Sequence, residues 1–532
     1  MEKFFKIKER GSTLKTEIFA GITTFFAMAY IIFVNPNQVA AEGANGWLVG
    51  LGADPGTMGQ IWNSVYIASI IVAIIGTLLM AFVADMPFAQ ACGMGLNSFF
   101  CTIFVAGSFF AGEDVKTGYQ AGLVIVFLSG VVFLLLSVTG LRKYIAVSMP
   151  ECLKKAIPAG IGLFIAMIGF KNAGIIEDNQ YTFVQFYDFH GRIKQIGTEV
   201  DGVMVTGLDV WHQIVPVVVA LLGVLIIAIL AKKGIKSNVI IGILASAVLY
   251  YLFMWEVPSF DMSNISQSFK DFAKVGFLGV FNGDAWDAAF NSSYVGGVFS
   301  GIMLIVAFCL VDMFDTIGTI YGTAASANMM DENGDPISMN ECMLCDSIGT
   351  VSGALLGTST CTTFVESASG VGAGGRTGFT SIITALCFVF CLFLSPLASV
   401  IPSCATAPAL IYVGVLMARN FAKVDMDDML SAVPAFLALI MMPLTYSISN
   451  GIGIGAIAYV VIALFTGNYK KKDIVITVIA ALFVCKFIFV TMYPDCKANN
   501  METKEDRTCG VRSFFIVYGP PLYNVHNPNC AK

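Results

Sequence analysis

Apolar runs close to membrane-crossing length alternate with short charged segments along almost the whole chain. A hydrocarbon core of about 30 Å needs roughly 20 apolar residues in one helix. Runs approaching that length recur at residues 18–34, 65–82, 91–107, 121–141, 157–176, 215–230 and 239–254. A second set follows at 295–321, 342–356, 358–370, 379–401, 407–418, 433–446 and 451–465. The pattern predicts an all-α polytopic membrane protein with about fourteen crossings, seven in each half. The third segment of each half is too short or too Gly-rich for one unbroken helix, so both are expected to contain a short extended stretch.

An odd number of crossings per half makes the second half enter the membrane in the opposite sense, the inverted repeat of many secondary transporters. Pro158, Ala159, Ile161, Leu163, Ile165 and Met167 in the fifth segment match Pro408, Ala409, Ile411, Val413, Val415 and Met417 in the twelfth at a constant offset. Lys and Arg cluster in the N-terminal tail and at 142–155, 232–236 and 470–472, which predicts a cytoplasmic N-terminus. The polar stretches 177–210 and 255–294 then face outward.

Composition agrees. Of 532 residues 57% are hydrophobic and 12% charged, with a mean hydropathy of +0.78. So apolar a chain excludes a soluble enzyme hung on an anchor, and nothing in it suggests a nucleic-acid partner. The first run follows the charged stretch 6–15 and lacks a small-residue cleavage site, so it reads as a retained helix. The net charge of -6 is uninformative beside the distribution across loops. Most of the 14 cysteines lie in apolar runs and behave as small hydrophobes. Cys342 and Cys345 lack a second pair at zinc-site spacing and read as helix packing. A further apolar run at 474–492 contains Lys486. If it spans, Cys496, Cys509 and Cys530 lie outside and can pair; if it lies on the surface, they stay reduced. Asn264 and Asn291 begin Asn-x-Ser triplets in an outward loop.

A carboxylate near the bilayer centre costs about 2.5–3.5 kcal/mol on insertion scales and is rarely kept without use. The eighth segment carries Asp312 and Asp315, three apart and so on one helix face. The tenth carries a hydroxyl-rich stretch, Thr358-Ser359-Thr360-Cys361-Thr362-Thr363, and then Phe364, Val365 and Glu366. With the Gly-rich run that follows, this suits an extended piece leading into a half-helix beside a polar cavity. The third segment has a matching oddity from Met86-Pro87 to Gly93-Met94-Gly95-Leu96-Asn97. Two broken segments in corresponding repeats point to the binding site. Asp312 is read either as bonded to neighbouring hydroxyls or as part of proton coupling, and Asn97 either as a helix cap or as a site residue. Asp85 reads as a loop acid at the cytoplasmic edge.

Several long motifs in order carry a family resemblance. Glu9-Arg10-Gly11-Ser12-Thr13, Gly21-Ile22-Thr23-Thr24-Phe25-Phe26-Ala27-Met28-Ala29-Tyr30-Ile31, Gly93 to Asn97, Phe314-Asp315-Thr316-Ile317-Gly318-Thr319, and Thr362 to Glu366 with Gly374-Gly375-Arg376-Thr377-Gly378 resemble the AzgA-like hypoxanthine, guanine and adenine permeases of the nucleobase/cation symporter-2 family. The likeness covers about residues 9–465. Cys92 departs from it, since that family usually has proline before the Gly-Met-Gly turn. The resemblance implies a core domain at 18–141 and 295–401 and a gate domain at 142–254 and 402–467. A tail at 1–17, a loop at 255–294 and an appended segment at 468–532 complete the chain. It also implies substrate between the third and tenth segments. Asp315 and Glu366 become the substrate carboxylates, Phe364 an aromatic wall, Val365 a backbone contact, and Asn97 and Thr363 polar partners. Thr23 and Thr24 are placed to close the site. A homodimer through the gate domain is compatible with this.

Chemistry suits that carry-over. A purine is flat and neutral with ring N–H donors, so its complement is a hydrogen-bond acceptor and an aromatic face. Two acids close together in a poor solvent cannot both ionise cheaply, so one is expected to hold a proton near neutral pH. No cofactor is expected; the coupling ion is H+, with Na+ as the alternative. Xanthine or uracil transport differs only in pocket detail, and an anion exchanger of the same architecture is opposed by the two acids. A membrane enzyme would need a histidine-rich metal set or an activated nucleophile, and His190, His212 and His526 lie in loops or at a segment edge.

Overall fold

The structure is a computed structural model that describes residues 2, 4–140, 149–179, 182–200, 203–235, 237–258, 263–290, 297–327, 329–330, 336–394, 400–445 and 447–489. Asn291, Cys496, Cys509 and Cys530, part of the eleventh predicted segment and part of the basic cluster at 142–155 lie outside these residues, as does the side chain of Lys486.

The first half runs through α1 (Leu14–Met28), α2 (Ile31–Val39), α3 (Pro55–Leu79), β1 (Gln90–Cys92), α4 (Met94–Phe100), α5 (Val115–Val138), α6 (Glu151–Asn172), α7 (Gly207–Lys232) and α8 (Asn238–Met254). The second runs through α9 (Val298–Ala327), α10 (Met339–Leu356), β2 (Cys361–Thr363), α11 (Ser367–Gly372), α12 (Gly378–Cys391), α13 (Ser403–Ala418), α14 (Met429–Leu444) and α15 (Ile448–Phe465), with α16 (Ile474–Phe489) appended. Among the described residues seven helical spans are long and apolar enough to cross a membrane, α1 and α2 together forming one of them. The shorter apolar helices supply the rest of a multi-pass fold of about fourteen segments.

Several helices start earlier than the hydropathy runs because caps, rather than apolar residues, set their ends. Asp54 accepts from the Thr57 N–H at 2.7 Å and Pro55 occupies the first turn of α3, ten residues before the predicted start. At α7, Thr206 and Asp209 form a reciprocal capping box. The outward stretch at 177–210 is also not wholly irregular. It holds two small hairpins, Ile176–Asn179 with Phe183–Phe186 and Glu199–Val200 with Val203–Met204.

Two groups of helices emerge from the packing. One joins α1, α2, α3, α5, α9, α10, α11 and α12; the other joins α6, α7, α8, α13, α14 and α15. In the second group α6 and α13 cross where Gly162 and Gly414 meet. A Cβ on Gly162 would lie 2.9 Å from the Gly414 carbonyl oxygen, and one on Gly414 would lie 2.5 Å from that of Gly162. Small residues at such a crossing let two backbones touch, which is how membrane helices gain contact without a hydrophobic driving force. Each of these helices also carries an internal proline, Pro158 and Pro408, at the repeat-matched position.

Candidate functional site

β1 and β2 pair antiparallel, with Gln90 opposite Thr363, Ala91 opposite Thr362 and Cys92 opposite Cys361. The ladder is extended by Gly93 N–H to the Thr360 carbonyl at 3.0 Å and Phe364 N–H to the Ala89 carbonyl at 3.0 Å. Non-helical backbone at membrane depth needs partners for its outer edges as well. Thr77 supplies one set, accepting from Gln90 N–H at 3.0 Å; the Thr350 hydroxyl supplies another, accepting from Cys361 N–H at 3.3 Å. Gly357 allows the entry into β2. It holds φ +96 at the end of α10, and a Cβ there would lie 2.5 Å from the Gly276 Cα.

On the front of this crossing a cavity is lined by Gly93, Met94 and Gly95, by Asp315 and Thr319 of α9, and by Thr362, Thr363, Phe364, Val365 and Glu366. Its opposite wall is apolar, made of Ile161 and Ile165 from α6 and Val413, Leu416 and Met417 from α13. The site therefore lies between the two helix groups. Asp315, Thr363, Phe364, Val365 and Glu366 are brought together there. Phe364 is buried, whereas Asp315 and Glu366 are partly open to the cavity.

Other candidates lie elsewhere. Asp312 faces the back of the crossing, where Thr350 donates to its Oδ2 at 2.8 Å. Asn97 is buried among side chains of two other segments: it donates to Asn35 and Gln38 of α2 and accepts from Ser359. It does not line the cavity. Thr23 donates to the Phe19 carbonyl at 2.8 Å. Thr24 abuts α11 so closely that a Cβ on Gly370 would lie 2.0 Å from its Oγ1.

Two residues escaped the reading of the sequence. Tyr30, in the break between α1 and α2, donates from Oη to Glu366 Oε1 at 2.6 Å. Asp346 of α10 stands behind the strands, accepting from Gln90 Nε2 at 3.3 Å and from the Thr316 hydroxyl. A carboxylate in an apolar run was the available signal for Asp346; Tyr30 is marked only by its place in the N-terminal motif.

At the end of the core helices nearest the N-terminus a separate cluster joins the tail to two loops. Arg10 pairs with Asp85 at 2.8 Å, and Asp85 accepts from Gly378 N–H at 2.9 Å. Glu17 accepts from Arg376 N–H and from Thr377, both at 2.9 Å. This cluster ties together the edges of segments that carry the crossing.

Comparison with known proteins bears on what the cavity holds. The Permease family Xan_ur_permease matches residues 15–193 and 191–454. Guanine/hypoxanthine permease PbuG of Bacillus subtilis is 38% identical over 493 residues, 92% of this chain and 100% of that protein. Adenine permease AdeP of Escherichia coli is 33% identical over 490 residues, 92% and 96% of the two chains. Putative permease MJ0326 of Methanocaldococcus jannaschii is 35% identical over 493 residues, 92% and 99%. Among solved structures, the transmembrane domain of the cyanobacterial bicarbonate transporter BicA aligns at a TM-score of 0.52 and 14% identity, over 82% of this chain and 97% of that one. That likeness is one of fold.

Proposed function

The chain belongs to the Xan_ur_permease family, the nucleobase/cation symporter-2 group, and on that premise we propose that it imports purine nucleobases, hypoxanthine, guanine and adenine, by proton symport. It is a transporter and not an enzyme. The observation that carries the substrate class is the meeting of Asp315, Glu366 and Phe364 in one cavity at the strand crossing. A carboxylate accepts ring N–H groups, and a phenyl face stacks on a flat heterocycle. Thr363 and the Val365 backbone complete the polar edge.

The same two acids supply the coupling. Facing one cavity in a low-dielectric setting, they cannot both carry charge cheaply, and a shared proton is the economical state. The proton enters with the base and leaves with it. Substrate contacts come from the core group, while the facing wall of α6 and α13 is apolar. Sliding or rocking of one group against the other exposes the cavity to each side in turn. The N-terminus lies in the cytoplasm on this reading, and the gate group is the surface through which two copies pair. An anion-exchange reading meets two carboxylates where it needs positive charge.

Uptake of labelled hypoxanthine into cells or proteoliposomes, with unlabelled bases as competitors, tests the reading. Concentrative uptake that purines compete for and a protonophore abolishes is expected. Uptake that ignores the protonophore and requires sodium would replace the coupling ion. Competition by uracil or xanthine but not by hypoxanthine, guanine or adenine would replace the substrate class.

A further inference from the structure

We propose that Tyr30 is the positioning residue for Glu366, holding its carboxylate in the orientation in which it meets the base. This rests on the purine-carrier reading and deepens it. Tyr30 is fully buried among apolar side chains, in the short break between α1 and α2. Its hydroxyl donates to Glu366 Oε1 at 2.6 Å, within the range of an O–H to carboxylate bond that is charge-assisted. Glu366 itself stands where β2 has ended and α11 begins. The neighbouring Val365 is exposed and Phe364 packs inward.

Oε1 spends a lone pair on Tyr30, which fixes the plane of a carboxylate that also lines the cavity. A base that offers one ring N–H then meets an acceptor already oriented, so less freedom is lost on binding. A phenylalanine at position 30 would fill the same space and keep the apolar packing while removing the donor. The alternative role is purely architectural: the ring fills a gap between segments, and the hydroxyl merely finds a nearby acceptor, as buried tyrosines do.

Binding of hypoxanthine to purified protein, together with KM and Vmax of uptake at matched membrane abundance, separates these. For Tyr30→Phe a rise in Kd and KM of about tenfold is expected, with Vmax within about twofold, because a hydrogen bond to a charged group is lost. In a Glu366→Asp background the carboxylate is one methylene shorter and beyond reach of the hydroxyl. There Tyr30→Phe should change Kd by less than about twofold. Unchanged Kd with lower abundance or Vmax in Tyr30→Phe would overturn the proposal in favour of packing. Equal effects in both backgrounds would also overturn it, since Tyr30 would then act without Glu366. A parental Kd in Glu366→Gln is a different failure: it removes Glu366 from the site and takes the proposal down with the purine reading of that residue.

Discussion

Segments three and ten break at the same depth and pair strand to strand, yet only one turns its polar chemistry toward the cavity. After β1 the chain contributes Gly93, Met94 and Gly95 to the wall, and its one amide, Asn97, faces away into Asn35, Gln38 and Ser359. After β2 the chain contributes Phe364, Val365 and Glu366 directly. The difference is one of position relative to the break. Glu366 stands at the end of the extended piece, just before α11 begins; Asn97 lies inside α4, where Asn35, Gln38 and Ser359 engage its amide. One broken segment became scaffold and the other became ligand surface.

The largest effect that would test this division is at Glu366. Glu366→Gln keeps the shape and removes the charge, so about 1.5–3 kcal/mol of binding is expected to go, roughly tenfold or more in affinity. The thermal midpoint of the purified protein should change little. A variant that loses stability and keeps hypoxanthine affinity would move Glu366 from ligand surface to scaffold.

Asp315 and Asp312 repeat the comparison within one helix. Asp315 lines the cavity, whereas Asp312 accepts from Thr350, which in turn accepts from the β2 backbone. Asp315→Asn is therefore expected to abolish concentrative uptake at matched abundance. Asp312→Asn should leave hypoxanthine KM within about threefold and cost about 1–3 kcal/mol of stability through the disturbed buried network. Normal transport by Asp315→Asn beside a dead Asp312→Asn would reverse the two faces of α9.

How much of this was legible beforehand depends on what each residue's neighbours contribute. The two broken segments stood out because Gly, Pro and hydroxyl residues interrupt apolar runs, a local signal. Asp315 and Glu366 stood out because acids in such runs are rare. The repeat match in segments five and twelve picked out Ile161, Ile165, Val413 and Met417, which prove to be wall residues. That one-dimensional pattern survived because both helices pack on each other through the same face. Illegible were the directions of side chains set by tertiary pairing. Spacing put Asp312 and Asp315 on one face, but that face is shared between the strands behind and the cavity in front. Tyr30 is one of 17 tyrosines in the chain; its place in the N-terminal motif marks it, but its partner emerges only from the approach of the first segment to the tenth. Asp346 follows Cys342 and Cys345, which read as helix packing, and only the approach of α10 to the strands gives it partners in Gln90 and Thr316.

A third test addresses the scaffold side of the opening comparison. Asn97→Ala removes a buried hydrogen-bond partner from the Asn35 Oδ1, the Gln38 Oε1 and the Ser359 hydroxyl, and each group left unsatisfied costs about 1–3 kcal/mol. A marked fall in thermal midpoint is expected, with the hypoxanthine Kd of the protein that remains folded within about threefold. A large rise in Kd at unchanged stability would put Asn97 on the ligand surface beside Glu366.

The smallest expected effect comes from the Arg10 cluster, and it shows how far scaffold and site are separable. Arg10 and Asp85 are each about a third exposed, at 31%, so solvent screens their attraction and the pair is worth at most about 1 kcal/mol. Two further bonds, from Arg10 Nη1 to the Asp85 and Arg376 carbonyls at 2.7 and 3.2 Å, hold the tail to the loops whether or not Asp85 is charged. Burial pushes the Asp85 carboxyl above its ordinary value, against the opposing pull of the Gly378 N–H and Arg10. A raised folded-state value means that the native protein binds the proton more readily than the unfolded chain. Asp85 therefore lowers stability as pH rises from its unfolded-state value through its folded one. The attraction of Arg10 runs the other way, present only above the folded value and lost as pH falls through it. Arg10→Ala should consequently lower the thermal midpoint slightly at neutral pH, by an amount that shrinks but does not vanish on acidification, since the carbonyl contacts do not titrate. Hypoxanthine affinity should be parental throughout. A tenfold loss of affinity in Arg10→Ala would mean that the tail clasp and the strand crossing move as one unit, linked through Asp85 and the chain from it to Ala89, which bonds to Phe364 and Ser367.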